Sequence, residues 1–235
     1  MKAPLNLPKL LCLAVTLAWA QGSLASTVFW GSSFNDNLFD SSGTALDSTY
    51  SFEIGTFGSF VPTYQNVDQW AANWHVIDRA FDPDSNGWNS TDQFFVGTVD
   101  LLSDNSSNSP DADPAYQFTK DDIAYLWAYN SKDILPSSEW ALVTYANDPL
   151  NTGNPWVIPD PTDSNSYNWN LTDAKVAVVG GANDVQGPGT YSANKGTFSL
   201  QTAVVPEPGS ALLLLTAAAT HLIRRARRLN RSTSL

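Results

Sequence analysis

The stretch IAYLWAY, residues 123–129, decides the fold class. Its large side chains at every second position, from Ile123 to Tyr129, fall on one face of an extended chain, because successive side chains of a β-strand point to opposite sides. Aromatic and β-branched residues also favour strands over helices. The stretch therefore predicts a half-buried β-strand.

Similar short runs recur along the chain on either side of this stretch. They are separated by segments rich in Asp, Asn, Ser, Gly and Pro, such as 103–114 and 158–166, which are typical of loops. Several short strands joined by such loops predict an all-β domain, an antiparallel β-sandwich or a barrel-like fold. The six further predicted strands cover residues 27–30, 51–57, 94–101, 140–145, 175–179 and 197–204.

One segment breaks the strand pattern. Between Asn66 and Phe81 the apolar residues recur at spacings of three and four, and Asn66 with Gln69 resembles a capping box. We therefore expect one short helix, at about 66–80, lying across the sheet. Its Trp70 and Trp74 are interpreted as core residues, with an aromatic ligand platform as the alternative.

The N-terminal end has the layout of a secretory signal peptide. Two lysines precede an apolar stretch of 11 residues, 10–20, and small residues follow it. The stretch is short for a membrane span, so we expect export and removal of residues 1–25, with cleavage after Ala20 or Ala25 and an uncleaved anchor as the alternative. The only cysteine, Cys12, lies within this segment, so the exported domain contains no disulfide.

The middle of the chain, residues 26–204, forms the predicted exported domain and is strongly acidic. Residues 26–205 contain five basic and 22 acidic residues, a net charge of −17. Binding to nucleic acid begins with lysine and arginine neutralising phosphates, so this charge excludes nucleic acid as a partner. Eight tryptophans in the same region provide enough apolar area for one core.

The C-terminal segment 205–231 combines three features. Pro206, Glu207 and Pro208 form an extended, accessible segment, since two prolines so spaced prevent helix formation. The 15 mostly apolar residues 209–223 would make a helix roughly 22 Å long, a marginal membrane span. The arginines that follow would remain in the cytoplasm by the positive-inside tendency. These membrane-orienting residues are Arg224, Arg225, Arg227 and Arg228.

This combination resembles the PEP-CTERM sorting signal of exported bacterial proteins. The resemblance implies recognition by exosortase, a membrane-embedded protease or transpeptidase that cuts near the Pro-Glu-Pro motif. It also implies passage through the inner membrane, transient anchoring by the C-terminal helix, and delivery to the cell surface or a biofilm matrix. The middle is similar, more loosely, to uncharacterised all-β domains that precede such tails, through the stretches SFEIGTF (51–57), VPTYQNVDQWAANW (61–74) and SEWALVT (138–144).

The segment FDPDSNGWNSTD, residues 81–92, is the candidate metal site. Asp82, Asp84 and Asn86 followed by Gly87 match the opening of a calcium loop, although the carboxylate that closes such a loop is missing. The same residues also make a good turn sequence. Calcium is therefore one alternative, and no other cofactor is expected.

Three functions remain open for the domain. The first is a non-catalytic structural or adhesive protein of the cell envelope or matrix. The second is a carbohydrate-binding module, in which Trp88, Trp156 and Trp169, all in polar segments, would stack on sugars of an extracellular polysaccharide. The third is a hydrolase that uses paired carboxylates, for which Glu53 and Glu139 are the only glutamates of the domain.

Overall fold

The chain is all-β, as predicted, in a computed structural model that describes residues 25–82, 87–145, 155–193 and 196–205. The predicted signal helix, the Pro-Glu-Pro motif, the apolar segment 209–223 and the arginine cluster lie outside these residues. The strands of the described part are β1 (Ala25–Gly31), β2 (Leu38–Phe39), β3 (Ser51–Thr56), β4 (His75–Phe81), β5 (Trp88–Asn89), β6 (Phe94–Leu102), β7 (Ala124–Tyr129), β8 (Glu139–Thr144), β9 (Ser166–Asn170), β10 (Val176–Val179), β11 (Gly181–Ala182), β12 (Val185–Gln186), β13 (Leu200–Gln201) and β14 (Ala203–Val204).

The central sheet has the strand order β10-β8-β7-β3-β4 and is antiparallel throughout. Strand β14 pairs with β8 beside β10. The predicted strand 123–129 is β7, in the middle of this sheet. All six residues of β7 are buried rather than alternately buried, because both faces of the sheet are covered.

A second sheet, with the order β5-β6-β1-β9, packs on one face of the central sheet. Strands β1 and β6 are antiparallel, whereas β1 and β9 are parallel, with Val28 opposite Tyr167. Val28, Phe95 and Val99 of this sheet share one core with Phe52 and Leu126 of the central sheet. The two layers confirm the predicted sandwich.

A third, small sheet has the order β12-β11-β13-β2. Its strands β2 and β13 are parallel, with Leu38 opposite Leu200. Its short strands join residues near the beginning of the domain to residues near the end. The predicted strand 197–204 is divided between β13 and β14, which belong to different sheets.

The other face of the central sheet is covered by a short helical segment. A 3-10 helix, Tyr64–Gln69, leads into α1, Trp70–Asn73, and a second 3-10 turn, Leu171–Asp173, follows β9. Trp70 stacks on Trp140, with ring centroids 5.6 Å apart and an interplanar angle of 24°. Trp70 and Trp74 are buried in an aromatic cluster on this face of the central sheet and are therefore core residues.

The helix ends earlier than the predicted boundary of about residue 80. Trp74 is already extended, and His75–Phe81 form strand β4, which pairs with β3. A register shift opposite Ile54 and Gly55 marks a β-bulge, and Ile77 and Ala80 consequently enter the same core. That spacing of three imitates a helical period in the sequence.

Within the described ranges, no helix is long and apolar enough to cross a membrane.

Candidate functional site

The three tryptophans predicted to bind sugars are buried. Trp88, Trp156 and Trp169 are 1%, 2% and 3% exposed, so the prediction that they form a stacking surface is wrong. Trp88 packs on Phe52, with centroids 4.8 Å apart, and its Nε1 donates a hydrogen bond to the Asp47 carbonyl at 3.3 Å. Asn89 beside Trp88 and Asn168 beside Trp169 are exposed, while the indole rings of these two tryptophans lie in the core.

The predicted calcium segment falls partly outside the described residues, which include Asp82 but not Asp84 or Asn86. The Asp82 Oδ2 accepts hydrogen bonds from the Ser90 backbone at 3.3 Å and the Ser90 hydroxyl at 2.7 Å. Among the residues that the structure describes, no group of three or more potential metal ligands lies together. Calcium binding by this segment stays a prediction.

An aromatic surface lies on the outer face of the second sheet. We call it the aromatic face and define it by Phe29, Phe34, Phe94 and Val96. Phe29 and Val96 point outward from β1 and β6, opposite to the buried Val28 and Phe95, by the period of two. Phe34 is 72% exposed and stacks on Phe94, with centroids 4.2 Å apart and an interplanar angle of 12°. Exposed apolar surface of this kind marks a site of interaction.

A cavity of about 470 Å³ opens at this aromatic face and is lined by Phe34, Phe94 and Val96 on one side. Its other side carries Asn89 and Asp92. The Asn89 Nδ2 donates to Asp92 Oδ2 at 2.9 Å, and its Oδ1 accepts from the Asp92 backbone at 3.0 Å. The turn therefore holds both polar side chains in place beside the rings, an arrangement suited to a ligand with an apolar face and polar edges.

A second cavity, of about 290 Å³, adjoins the first. Both are lined by Gly87 and Val96, and the second continues past Thr98 to Asn108 and Ser109. The two cavities adjoin along β6, the first at its outer face and the second between β6 and residues Asp78 and Arg79 of β4, and we call them together the β6 groove. It runs from the aromatic pair at one end to a polar wall at the other.

Asp78 lines the polar half of the β6 groove and is almost fully buried. Its Oδ2 accepts from Trp30 Nε1 and its Oδ1 from the Ser109 hydroxyl, both at 2.7 Å. Burial raises the pKa of Asp78, although these two hydrogen bonds oppose the shift. A side chain at Gly97 would collide with both Trp30 and Asp78, so only glycine fits there.

The most concentrated charge in the described residues surrounds Glu53, on the opposite face of the central sheet. Its Oε1 accepts from Arg79 Nε at 2.7 Å and from the Tyr129 hydroxyl at 2.6 Å. Its Oε2 accepts from Trp74 Nε1 at 2.7 Å and lies 2.5 Å from Lys132 Nζ. Burial alone would raise the pKa of Glu53, but Lys132, Tyr129 and Arg79 together lower it below the usual glutamate value.

The second glutamate, Glu139, is engaged in the same way. Its carboxylate accepts from the Ser41 backbone at 2.8 Å, from the Ser41 hydroxyl at 2.7 Å and from Thr202 Oγ1 at 2.7 Å. The Tyr50 hydroxyl donates to the same group at 3.1 Å. Both glutamates named for hydrolysis therefore hold strands and loops together within the fold.

The aromatic face was only partly visible in the sequence. Phe29 lies between Val28 and Trp30 in a predicted strand, so its outward direction follows from alternation. Phe34 lies in a loop, and no periodicity marks it. Comparison of the chain with family models, with curated proteins and with solved structures finds no match.

Proposed function

We propose that this chain is an exported, non-catalytic adhesive protein of the cell envelope or extracellular matrix, and that its β6 groove binds polysaccharide. The observation that carries the proposal is the exposed Phe34 stacked on Phe94 beside Asn89 and Asp92. Aromatic rings offer a flat apolar surface to the C–H face of a sugar, and amide and carboxylate groups accept or donate hydrogen bonds to its hydroxyls.

The binding role follows the second of the three open functions but places it on different residues. The buried Trp88, Trp156 and Trp169 are replaced by the stacked pair of the exposed Phe34, in a loop, and the half-buried Phe94, on β6. An open groove suits a polymer better than an enclosed pocket, because the polymer continues beyond the site at both ends. An adhesive role needs no reacting group in that groove.

Substitution Phe34→Ala tests the proposal. Truncation removes the more exposed ring of the stacked pair without emptying the core, so we expect the fold to be unchanged and the affinity for polysaccharide to fall at least tenfold. The measurement is affinity electrophoresis of the domain through gels that contain, in turn, each of a panel of neutral and acidic polysaccharides.

Val61→Ala is the matched control, because Val61 is also largely exposed and lies outside the aromatic face. Its mobility should match that of the unaltered domain in every gel. Equal retardation of the unaltered domain and the Phe34→Ala variant would overturn the proposal, as would free migration of the unaltered domain through the whole panel.

We also propose that the C-terminal segment directs sorting by exosortase. The support is the order Pro206-Glu207-Pro208, an apolar run and an arginine cluster, together with the secretory pattern at the other end. The positive cluster would hold the chain in the inner membrane until processing releases the domain. Mass spectrometry of the protein recovered from its host should show loss of the residues beyond about Pro208, and an intact arginine-rich end would contradict sorting.

A further inference from the structure

The β6 groove is longer than a single sugar. Phe94 and Thr98 are four residues apart on β6, which corresponds to about 13 Å at about 3.3 Å per residue. One hexose ring is roughly 5 Å across, given carbon–carbon bonds of about 1.5 Å. Lining residues extend the groove further at both ends, to Asn89 and to Asn108.

The two cavities adjoin, and the side chains of Phe94, Val96 and Thr98 lie on one face of β6 by its period of two. Val96 and Gly87 line both cavities, and the Val96 backbone N–H donates to the Gly87 carbonyl at 2.8 Å. A Cβ at Gly87 would meet the Ala80 side chain at 2.9 Å, so the position has no room for a larger residue. A chain lying over Phe94 can therefore continue past Val96 to Thr98 without obstruction from these residues.

The charge of the groove excludes an acidic ligand. Asp82 and Asp92 line the aromatic half, and Asp78 and Asp111 line the polar half. Arg79 is the one basic residue among the described lining residues, and its guanidinium is already paired with the buried Glu53, with Nε 2.7 Å from Oε1. A uronic acid in the groove would face like charges without a free cation.

From this length, from the common face of Phe94, Val96 and Thr98, and from the charge, we infer that the β6 groove takes a linear, uncharged glycan of at least three sugar units, lying along β6. The inference rests on the proposed function, since it specifies the ligand of the same groove. The stacked Phe34 and Phe94 hold one end of the glycan. The region from Thr98 to Asn108 contacts units that a disaccharide does not reach.

Isothermal titration with oligosaccharides of one to six units tests the inference. The probes are β-1,4-glucose, β-1,3-glucose and β-1,4-mannose oligomers, with oligogalacturonic acid of the same lengths as the charged series. In a neutral series that binds, affinity should rise at least tenfold from one unit to three and change little beyond four. The charged series should bind at least tenfold more weakly at equal length.

Thr98→Glu obstructs the polar half only. Thr98 is exposed on the outer face, and a carboxylate there would have to lose water when a glycan covers it. We expect at least a tenfold loss of affinity for the trimer and longer oligomers, with the affinity for shorter ones unchanged. Ser166→Glu is the matched control, since it adds the same charge on the same sheet outside both cavities, and it should leave every affinity unchanged.

The outcomes separate this inference from the proposed function. If Phe34→Ala abolishes binding but oligomers of one and six units bind equally tightly, the extended groove is wrong and polysaccharide binding still stands. The same conclusion holds if Thr98→Glu does not change the affinities. Equal or tighter binding of oligogalacturonic acid overturns the uncharged ligand. Absence of binding to every series and every polysaccharide of the panel overturns both.

Discussion

Glu53 is a fully buried carboxylate that accepts from four side chains, and it is the residue on which we expect stability to depend most strongly. Glu53→Gln would replace one carboxylate oxygen by an NH2 group, which would face either Arg79 or Lys132, and would leave both cations without their shared anion. We expect a loss of about 3–5 kcal/mol in the free energy of unfolding, the usual cost of removing one partner from a buried ion pair. Urea unfolding at pH 7 followed by tryptophan fluorescence measures it.

The pH dependence of this difference has a definite sign. The pKa of Glu53 is lowered in the fold, so its contribution is present above the usual glutamate pKa and is lost as the pH falls through the lowered value. The gap between the unaltered domain and Glu53→Gln should therefore narrow at acid pH. Asp68→Asn, at an exposed carboxylate, should change stability by less than about 0.5 kcal/mol at any pH. A difference in stability between the unaltered domain and Glu53→Gln that does not change with pH would contradict the lowered pKa of Glu53.

Single residues were predicted well where neighbours in the sequence fix their direction. Tyr125, Trp127 and Tyr129 were predicted to share one buried face and are buried, whereas Ile123, predicted on the same face, is 41% exposed. Trp156 and Trp169 lie in polar segments, and composition alone suggested exposure. Their burial depends on which side of each segment faces the core, and this is set by tertiary packing that a local pattern does not contain.

At the scale of elements, the start of β1 determines where a signal peptide could be removed without a loss in the stability of the domain. The strand begins at Ala25, and Ser26 is 0% exposed, with its hydroxyl donating to the carbonyls of Asp160 and Asp163 at 2.7 and 2.8 Å. Cleavage after Ala25 would put a charged amino group on this buried residue. We expect the mature chain to begin at Gln21, as measured by the N-terminal peptide in mass spectrometry.

Purified chains that begin at Gln21 and at Ser26 provide the energetic comparison. The chain beginning at Ser26 should unfold at a lower urea concentration. Its free energy of unfolding should fall by about 1–3 kcal/mol, because the hydrogen-bonding pattern of the sheet does not accommodate the buried charge. Equal stability of the two chains would remove the structural reason for preferring cleavage after Ala20.

Segments whose apolar residues follow a single period were predicted with nearly correct bounds, and segments that mix two periods were not. Strands β3, β6, β7 and β8 coincide with predicted runs to within one residue at most ends. The helix was extended too far because the bulge in β4 gives Ile77 and Ala80 a helical spacing. Strand β9 was missed, since its sequence SYNWN is polar on one side and lies at a sheet edge.

For the whole molecule, the end of the described chain is part of the fold. Strand β14 pairs with β8, Val205 is buried, and its backbone N–H donates to the Ser138 carbonyl at 2.9 Å. A chain ending at Val205 should therefore be as stable as one that retains the tail. A chain ending at Gln201 should lose about 3 kcal/mol or more, from the burial of Ala203 and Val205 and the Thr202–Glu139 hydrogen bond.

Urea unfolding of the three chains, each beginning at Gln21, makes the comparison. If the chain ending at Gln201 is as stable as the others, β14 is dispensable for the stability of the domain. If the chain ending at Val205 is itself weakened, residues beyond it contribute to the fold.

The class of the molecule was predictable from the sequence, and the position of the site was not. Seven short alternating or apolar runs separated by loop-forming segments are enough to predict a layered all-β domain. The β6 groove requires knowing that β6 lies next to β1 and that the loop carrying Phe34 folds back over Phe94. Neither fact is contained in any short segment of the chain.

The parallel pairing of β1 with β9 also governs the order in which the chain can fold. Phe29 is paired with Asn168, and Leu38 with Leu200, so strands near the start have no partner on that side until almost the entire domain has been made. Domains dominated by such distant pairings fold slowly, in about milliseconds to seconds. If the chain is exported with its N-terminal end first, one edge of β1 and of β2 would stay without its partner strand until β9 and β13 emerge.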